Sequence, residues 1–509
     1  MEYLKVSAGG PTWIPAYARM TLLLMNKFYI TTAIDYPNGK PHIGHSYEKV
    51  AADALARFYR GQGVETFFLT GTDEHGAKIA QYAKEAGKSE QEFVDEYSGY
   101  FSFAWDQLNV VPDRFIRTTD IDHVQTVLDL VTKIKDNGYL YEADYEGLYC
   151  TGHEAFITEK DLVEGKCPDH QKAPEHIKEK NWFFKITEFT STIKSKIESN
   201  EFKVWPESAR NEILSWLDQG FKDIAVTRPN VKWGIQVPWD PGQTIYVWVD
   251  ALINYVTGAG FISNREQYEK FWPADWHVIG RDISKFHCII WPALLLAAGL
   301  PMPRGVVVHG YLTLNNQKIS KSLGNIVDPN DWVAKYGADA VRYFLLREVP
   351  FGQDGDVSEE KLHQRYEGEL ANGLGNLVSR VTTLVEKFAP DFSLSWQGEG
   401  QGRGRTDVQG GYDLGRVNGL IIDFKFHEAL AEIWNAVAWA NKTVDENKLW
   451  ELGKTDIEKF NPIASELIIT IESIARNLLP LIPESAQKIL DGVTAEKITK
   501  VEPLFPRIE

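Results

Sequence analysis

The stretch FYITTAIDYPNGKPHIGH, residues 28–45, decides the fold class. Phe28 to Ala33 is apolar or β-branched over the length of one strand, which predicts a buried strand. Pro37-Asn38-Gly39 ends that strand, since these residue types favour turns. After His45, apolar residues recur at helical spacing as far as Tyr59. A buried strand, a turn and an amphipathic helix in this order are typical of an α/β protein.

The same alternation continues outward from this stretch. Thr66 to Thr70 is a second apolar strand, and the pattern resumes at Gln243 to Asp250, Trp276 to Gly280 and Val306 to Gly310. Strands that alternate with helices predict a Rossmann-like, doubly wound parallel sheet. Beyond about Pro350 the apolar spacing is helical throughout, which predicts an all-α helix bundle. The residues that carry this last pattern are Leu370, Leu374, Leu377, Val378, Val381, Leu384, Val385, Leu467, Ile468, Ile471, Ile474 and Leu478.

Changes in composition divide the chain into five expected segments. Residues 1–24 show no sustained periodicity and are interpreted as a non-functional extension. A polar stretch from Cys150 to His170 interrupts the α/β pattern and indicates an insertion. The expected boundaries are 25–140 and 236–350 for the two halves of the Rossmann-like domain, 141–235 for the connective insertion, and 351–509 for the bundle, with a flexible Gly-rich loop at 397–411.

The composition sets limits on the class of protein. The chain has 509 residues, 54 Lys and Arg against 71 Asp and Glu, and a net charge of −17, which is material for about three domains. This acidic balance argues against a protein that coats nucleic acid non-specifically, though not against a local basic site. No apolar run reaches the roughly 18 residues of a transmembrane helix, so no membrane association is expected. Three cysteines do not form a disulfide framework and indicate a cytoplasmic setting.

Two loops carry residues suited to phosphate chemistry. Pro41-His42-Ile43-Gly44-His45 lies where a strand gives way to a helix, and a helix N-terminus attracts anions. Gly44 allows close approach of another group, and the two imidazoles can donate to phosphate oxygens. Lys318-Ile319-Ser320-Lys321-Ser322 follows a late strand, and its two lysines suit a pyrophosphate. Taken singly, the first loop also fits ordinary surface histidines, and the second fits a solvated basic turn.

Together the two loops resemble the paired HxGH and KxSKS motifs of the class I aminoacyl-tRNA synthetases. From Lys27 to the C-terminus the chain resembles one family among them, the methionyl-tRNA synthetases. Further matching stretches are Thr32–Gly39, Gly71–Gly76, Tyr246–Ala251, Ile279–Ile283, Phe286-His287 and Gly375–Arg380. The resemblance implies ATP-dependent attachment of L-methionine to tRNA(Met), including the initiator, through a methionyl-adenylate with release of pyrophosphate and AMP. Two alternatives stay open: another class I synthetase, for example one for cysteine, or an inactive synthetase-like tRNA-binding protein.

The resemblance also implies a role for individual residues, with methionine and ATP as substrates and Mg²⁺ as the ion that accompanies ATP. The implied catalytic residues are His42, His45, Lys318 and Lys321. The implied ATP-binding residues are His42, Gly44, His45, Glu48, Gly280, Asp282, Lys318, Ser320 and Lys321. The implied methionine-binding residues are Ala33, Ile34, Tyr36, Asp73, Trp248, Tyr255, Ile283 and His287. The implied anticodon-reading residues are Asn376, Arg380 and Trp450. Asp35, Leu252 and Leu449 stand where some family members carry proline, so the local shape of the methionine pocket and of the anticodon loop is left open.

Two Cys/His pairs, Cys150-x2-His153 and Cys167-x2-His170, have a spacing that could close a tetrahedral Zn²⁺ site. Related synthetases carry a knuckle here in zinc-bound and metal-free forms, so zinc is expected and a metal-free knuckle is the alternative. Cys288 is expected to be a buried small hydrophobe. The chain closes as the family's core does, which implies a monomer.

Overall fold

The computed structural model describes residues 26–150, 155–157, 159, 162–168, 171–229, 231–319, 326–390, 392 and 412–508. The expected segments 1–24 and 397–411 lie outside these residues, as do His153, His170, Ser320 and Lys321. The strands are β1 (Lys27–Thr32), β2 (Glu65–Thr72), β3 (Arg114–Arg117), β4 (Leu140–Cys150), β5 (Ala155–Ile157), β6 (Glu175–Phe184), β7 (Lys203–Trp205), β8 (Ile224–Ala225), β9 (Thr227–Arg228), β10 (Gln236–Val237), β11 (Asp240–Ile245), β12 (Trp276–Gly280), β13 (Gly305–His309), β14 (Leu312–Leu314), β15 (Gln317–Lys318) and β16 (Gly355–Val357).

Helices cover the sheets and make up the C-terminal part of the chain. The α-helices are α1 (Ile43–Gly61), α2 (Ala77–Glu85), α3 (Glu90–Gln107), α4 (Ile121–Asp136), α5 (Thr190–Glu198), α6 (Glu207–Gln219), α7 (Val247–Leu252), α8 (Asn254–Gly258), α9 (Arg265–Phe271), α10 (Trp291–Ala297), α11 (Pro329–Tyr336), α12 (Ala338–Glu348), α13 (Glu359–Arg365), α14 (Asn376–Phe388), α15 (Val417–Ile422), α16 (Phe426–Glu446), α17 (Leu449–Thr455), α18 (Ile457–Leu478) and α19 (Pro483–Val493). Wider π-helical turns precede α10 and α14, at Phe286–Ile290 and Tyr366–Gly375. Short 3₁₀ turns lie at Ile186–Glu188, Arg281–Ile283 and Leu414–Arg416.

Six parallel strands form the main sheet, in the order β3-β2-β1-β12-β13-β7. The chain runs outward from β1 to β3 on one side and from β12 to β13 on the other, so the direction of winding reverses between β1 and β12. Val306 and Val307 of β13 are completely buried because helices cover both faces of the sheet. The predicted doubly wound parallel sheet is confirmed. Its edge strand β7 comes from residues 141–235, the segment expected to be an insertion.

Smaller antiparallel sheets lie beside the main one and use the rest of that segment together with residues 236–245. The predicted stretch Gln243 to Asp250 is therefore not a strand of the main sheet, since it contains the end of β11 and the start of α7. Strands β5, β4, β6 and β8 pair in that order, and β10, β11 and β9 form a second sheet. Much of β6 alternates between exposed and partly buried residues, as expected of a sheet with one face in solvent. A third small sheet, in the order β15-β14-β16, lies after β13 and holds Lys318 at its end.

The predicted helix bundle is also confirmed. The residues that predicted it are completely buried, apart from Leu384, which is partly buried. Their core is continuous with one face of the main sheet, since the same cluster contains Phe28 and Ile30 of β1 and Val50 and Leu55 of α1. Among the described residues, no helix combines the length and apolar character needed to cross a membrane.

Candidate active site

The candidate site lies where the winding of the main sheet reverses, since doubly wound sheets bind ligands outside the carboxyl ends of the strands at this point. β1 ends at Thr32 and β12 ends at Gly280, one on each side of the reversal. Asp35 donates its N–H to the carbonyl of Gly71 and accepts the N–H of Asp73, both at 2.8 Å. These bonds tie the segment after β1 to the end of β2 beside the crevice.

His42 and His45 cap the N-terminus of α1 with their own imidazoles. His42 Nδ1 accepts the N–H of Gly44 at 3.2 Å, and His45 Nδ1 accepts the N–H of His42 at 3.1 Å, which together make a reciprocal capping box. The two ring centroids are 3.8 Å apart. Because each Nδ1 accepts a hydrogen bond, each neutral ring carries its proton on Nε2. Two such donors beside a helix N-terminus suit a phosphate group.

The two sequence-predicted loops meet at Gly44. A Cβ at this position would lie only 3.0 Å from the His42 ring, so glycine leaves room for that ring, and it would be in ordinary contact, at 3.9 Å, with Cδ1 of Ile319 from the second loop. Ile43 donates its N–H to the carbonyl of Val327 at 3.0 Å, which joins the start of α1 to the segment after the second loop. The HxGH loop and the start of the KxSKS loop are therefore neighbours in space.

Lys318 lies at the end of the hairpin made by β14 and β15. Asn315 and Asn316 form its turn with positive φ, which asparagine tolerates better than most residues. Asp356 of β16 accepts a hydrogen bond from the hydroxyl of Thr313 at 2.9 Å and one from the N–H of Asn316. The hairpin that carries Lys318 is thus anchored to the neighbouring strand.

Lys49, Asp35 and Glu48 form a buried charged cluster with His309 at its edge, and of these four residues only Glu48 is a sequence-predicted site residue. Lys49 Nζ donates to Asp35 Oδ1 at 2.7 Å, to the carbonyl of Ala33 at 3.0 Å and to Glu48 Oε1. Glu48 Oε2 lies 3.4 Å from Nε2 of His309, at the end of β13. Burial, assisted by the charge of Glu48, acts to raise the pKa of Asp35, and the ammonium group of Lys49 opposes this rise. The four side chains belong to three different elements, and their sequence contained no shared motif.

Gly280 and Asp282 extend the crevice from β12 toward the same histidine. A Cβ on Gly280 would lie 2.8 Å from Asp282 Oδ1 and 3.6 Å from the His309 ring, so the three residues are in close contact. A cavity of about 230 Å³ opens beside them and is lined in part by Arg281, His309 and Gly310. The expected ATP-binding positions Glu48, Gly280 and Asp282 are thus brought together, with His309 as an addition.

The expected methionine-binding residues also come together. The apolar members of the set belong to one buried cluster or pack against it, and they are Ala33, Ile34, Tyr36, Trp248, Tyr255 and Ile283. Trp248 stacks on Phe286 with ring centroids 3.9 Å apart and planes 12° apart. Phe286 was missed as a site residue, although it directly precedes His287 in one of the matching stretches.

His287 and Tyr255 form a fixed polar pair in this pocket. His287 Nδ1 lies 2.9 Å from the carbonyl of Ile283, which can only accept, so the ring proton is on Nδ1. The Tyr255 hydroxyl lies 2.7 Å from His287 Nε2 and therefore donates to it. Burial lowers the pKa of His287 to about 4, so the ring is neutral at pH 7. An uncharged polar pair within an aromatic pocket suits a thioether better than a charged group.

A second buried hydrogen-bond network, formed by Asp250, His75 and His123, supports the helix that carries Trp248, and it was not predicted from the sequence. Asp250 of α7 accepts from His75 Nδ1 at 2.7 Å and from His123 Nε2 at 2.8 Å. Burial acts to raise the pKa of Asp250, but the two imidazoles outweigh it and lower that pKa to about 2. The network joins the segment after Asp73 to the helix that carries Trp248. Its only sequence signal was the presence of Asp250 and His75 in two matching stretches.

The expected anticodon positions lie on the helix bundle. Arg380 of α14 lies over the ring of Trp450 at 5.8 Å, and its Nη2 is 2.6 Å from Asp445 Oδ1. Trp450 is 37% exposed, and the exposed Asn376 lies one turn before Arg380 on α14. An exposed tryptophan beside an arginine and an amide offers the stacking and hydrogen-bonding groups that bind single-stranded bases.

Of the four expected zinc ligands, the structure describes the two cysteines. Cys150 and Cys167 are 3% and 1% exposed. Two tight turns surround Cys167: Val163 and Lys166 exchange main-chain hydrogen bonds, and Gln171 donates to the carbonyl of Cys167 at 2.8 Å. Cys288 is completely buried, as predicted, and burial raises the pKa of its thiol well above the usual range. Within the described residues, no group of three or more His, Cys, Asp or Glu side chains is arranged to hold a metal ion.

Known proteins match this chain over most of its length. The family model for class I tRNA synthetases (M) matches residues 28–176 and 170–382. A methionine–tRNA ligase of Caldanaerobacter subterraneus subsp. tengcongensis is 42% identical and aligns with 95% of this chain and 79% of its own length. A methionine–tRNA ligase of Thermotoga maritima is 41% identical and aligns with 92% of this chain and 76% of its own length. The chain belongs to the methionine–tRNA ligase family.

Solved structures of the methionine–tRNA ligase family show the same architecture. Mycobacterium tuberculosis methionyl-tRNA synthetase in complex with methionyl-adenylate is 37% identical, with a TM-score of 0.86 over 95% of this chain and all of that one. The free-state structure of that enzyme gives a TM-score of 0.78 at 35% identity, over 95% of this chain and 99% of that one.

Proposed function

We propose that the protein catalyses ATP-dependent attachment of L-methionine to tRNA(Met), the initiator included, through a methionyl-adenylate. The observation that carries this proposal is the meeting of the two phosphate-type loops at the reversal point of the sheet, where Gly44 and Ile319 are neighbours. Family membership supports the same reaction. It also disfavours the two alternatives, another class I synthetase and an inactive tRNA-binding protein.

In the first step a carboxylate oxygen of methionine attacks the α-phosphorus of ATP. The new P–O bond forms as the bond to the β-phosphate oxygen breaks, and pyrophosphate leaves with that electron pair. His42 and His45 are proposed to donate Nε2–H groups to phosphate oxygens, and Lys318 and Lys321 to neutralise the charge of the departing pyrophosphate. Gly44, Glu48, Gly280, Asp282 and Ser320 complete the proposed ATP site. The chain forms no covalent bond, so positioning and charge stabilisation supply the catalysis.

The methionine side chain is proposed to enter between Trp248 and the neutral pair of Tyr255 and His287. Sulfur packs favourably against aromatic rings, and the exclusion of charge from the pocket disfavours polar amino acids. Asp73 is proposed to bind the ammonium group, and Ala33 to line the pocket. The other proposed contacts are Ile34, Tyr36 and Ile283.

Mg²⁺ is proposed to enter with ATP, on phosphate oxygens and water, because it prefers oxygen ligands and dehydrates reluctantly. Both carboxylate oxygens of Glu48 already contact Lys49 or His309, so this residue is not proposed as a metal ligand. We further propose that the enzyme works as a cytoplasmic monomer. The proposed domain division keeps the boundaries 25–140, 141–235, 236–350 and 351–509.

Zn²⁺ is proposed to bind Cys150, His153, Cys167 and His170. Two buried thiols support this donor set, one at the end of β4 (Cys150) and one between two tight turns (Cys167), since thiolate and imidazole are the usual ligands of structural zinc. When bound, the metal would hold the knuckle of the insertion together. Metal analysis of the purified protein should find about one zinc per chain. A value well under one favours the metal-free knuckle instead.

The reaction is tested by ATP–pyrophosphate exchange with each amino acid in turn. Exchange should depend on methionine and should fall by about 100-fold or more in His45→Ala, because a lost transition-state donor costs that much. Exchange with cysteine but not methionine points to a different synthetase, and exchange with no amino acid points to a binding protein.

A further inference from the structure

Lys49 is a completely buried cation within the first turns of α1. Burying an ammonium group is costly unless its hydrogen bonds are made. Each of its three N–H donors has an acceptor: Asp35 Oδ1 at 2.7 Å, the carbonyl of Ala33 at 3.0 Å, and Glu48 Oε1. One side chain therefore joins the end of β1 to α1.

The acceptors of Lys49 lie on both sides of the proposed reaction centre. Ala33 is a proposed methionine contact, and Lys49 holds its carbonyl. Glu48 is a proposed ATP contact, and its second oxygen reaches His309 beside the cavity at 3.4 Å. A displacement of this one ammonium group would therefore move groups at both substrate positions.

Negative charge collects around the same point. Asp35 and Glu48 both accept from Lys49, and the N–H of Asp73 donates to the carbonyl of Asp35. The charges of the three carboxylates add to the rise that burial causes in the pKa of Tyr255. The Asp35 Oδ2 atom is buried without a hydrogen-bond partner in the part of the chain that the structure describes. Asp35 thus depends on Lys49 for its charge balance. Without this cation, the carboxylates would repel one another where the anionic ATP and the carboxylate of methionine must bind.

We infer that Lys49 is a positioning residue for methionine activation, which holds the end of β1 and the Glu48 carboxylate in the geometry that accepts both substrates. The inference rests on the proposed function. It differs from a purely structural role, because a structural ion pair would change the fraction of folded enzyme and leave the substrate affinities unchanged.

Lys27 provides a matched control at the opposite end of β1. Its Nζ donates to the carbonyls of Phe271 and Pro273 at 2.7 and 2.5 Å and lies 3.3 Å from Asp275 Oδ2. It therefore also joins β1 to its surroundings through two carbonyls and a carboxylate, but away from the crevice. Lys27→Met should lower stability and leave both KM values within about two-fold of wild type.

The experiment measures kcat and the KM for ATP and for methionine by pyrophosphate exchange, normalised to active sites. Lys49→Met should raise both KM values and lower kcat/KM by about 10- to 100-fold, since displacements near 1 Å cost this much. The double variant Asp35→Asn/Lys49→Met removes both charges and should fold better. It should stay at least about five-fold below wild type, because Ala33 and Glu48 remain unheld.

Unchanged KM values in Lys49→Met overturn the role of Lys49. If Lys49→Met does not fold, unchanged KM values in the double variant overturn it instead. An equal rise in KM for Lys27→Met overturns it as well. Absence of methionine-dependent exchange in the wild type is a different result, which rejects the proposed function and the inference with it.

Discussion

Replacement of Arg342 by methionine tests whether the Rossmann-like domain and the bundle unfold as one unit. Arg342 lies in α12 and is completely buried. Its Nη2 is 2.7 Å from Asp53 Oδ2 of α1, which is equally buried. The guanidinium also donates to two carbonyls after α3 and two after α18, at 3.0 to 3.3 Å. One side chain thus joins the first helix of the sheet domain to the bundle.

The magnitude follows from what the substitution leaves behind. Removal of one partner of a buried ion pair costs about 3–5 kcal/mol, because the other charge loses its compensation. Asp53 keeps Arg57 Nε at 2.7 Å and the N–H of Val111 at 3.0 Å, which favours the lower end. Four carbonyls lose a donor, and each buried unmade bond costs about 1–3 kcal/mol, which favours the upper end. We expect a loss of about 5 kcal/mol, a large part of the roughly 5–15 kcal/mol that holds a protein folded.

Urea unfolding followed by circular dichroism at pH 7 measures this loss. Asp53→Asn and the double variant Asp53→Asn/Arg342→Met complete a double-mutant cycle. The double variant leaves no charge unpaired between these two positions, so we expect a coupling of about 2 kcal/mol or more between them. A loss below about 1 kcal/mol for Arg342→Met, or strictly additive losses, refutes the reasoning. Two separate transitions in the wild type would contradict the shared core.

Three further predictions concern stability and tRNA binding. The pKa of Asp250 is lowered from its ordinary 3.8 to about 2. The pairing of Asp250 with His75 and His123 therefore stabilises the fold fully at pH values above 3.8, and this stabilisation is lost as the pH falls through about 2. Asp250→Asn should therefore cost about 2 kcal/mol in urea unfolding at pH 7, with the difference shrinking from pH 4 downward; a pH-independent difference contradicts this. Gly71→Ala would place a Cβ 1.8 Å from the carbonyl oxygen of Ile116 in the next strand and should lower the melting temperature sharply, whereas Gly61→Ala meets open space and should not. Trp450→Ala should lower kcat/KM for tRNA charging by about 5- to 150-fold, the worth of one stacked base, without altering pyrophosphate exchange, and equal losses in both assays would refute its assignment.

The main sheet and the bundle were predictable because their signals are local. β12 begins and ends at the predicted residues, and β1 and β13 differ from prediction by one residue at each end. The apolar residues that predicted the bundle, from Leu370 to Leu478, all lie in or against the core, since the period of a helix decides which side chains face inward. The loops at His42 and Lys318 could be found for a similar reason: the residues that contact a substrate lie within one short segment.

The residues that hold the site in place could not be found in this way. Asp35 and Lys49 contact each other across 14 positions of the sequence. Glu48 lies in α1, directly after β1, and His309 ends β13; the two meet because the strand order places β13 next but one to β1. Asp250 joins His75 and His123 across more than a hundred positions. The role of a buried ionisable residue is recognised only from the residues that it contacts, and strand order rather than spacing along the chain decides which residues those are.

Helix α1 shows why a sequence pattern can conceal such residues. Its polar residues His45, Lys49, Asp53 and Arg57 recur every four positions, a spacing that ordinarily indicates the solvent face of an amphipathic helix. In the structure Lys49 and Asp53 of this stripe are completely buried, because the end of β1 covers one and α12 covers the other. The helix has no long exposed face, since the sheet lies on one side of it, and on the other side lies α12, which itself packs against α16 of the bundle. Each buried charge on the stripe must then be matched by a partner from a different element, and those pairs fix where the proposed phosphate-binding N-terminus of α1 points.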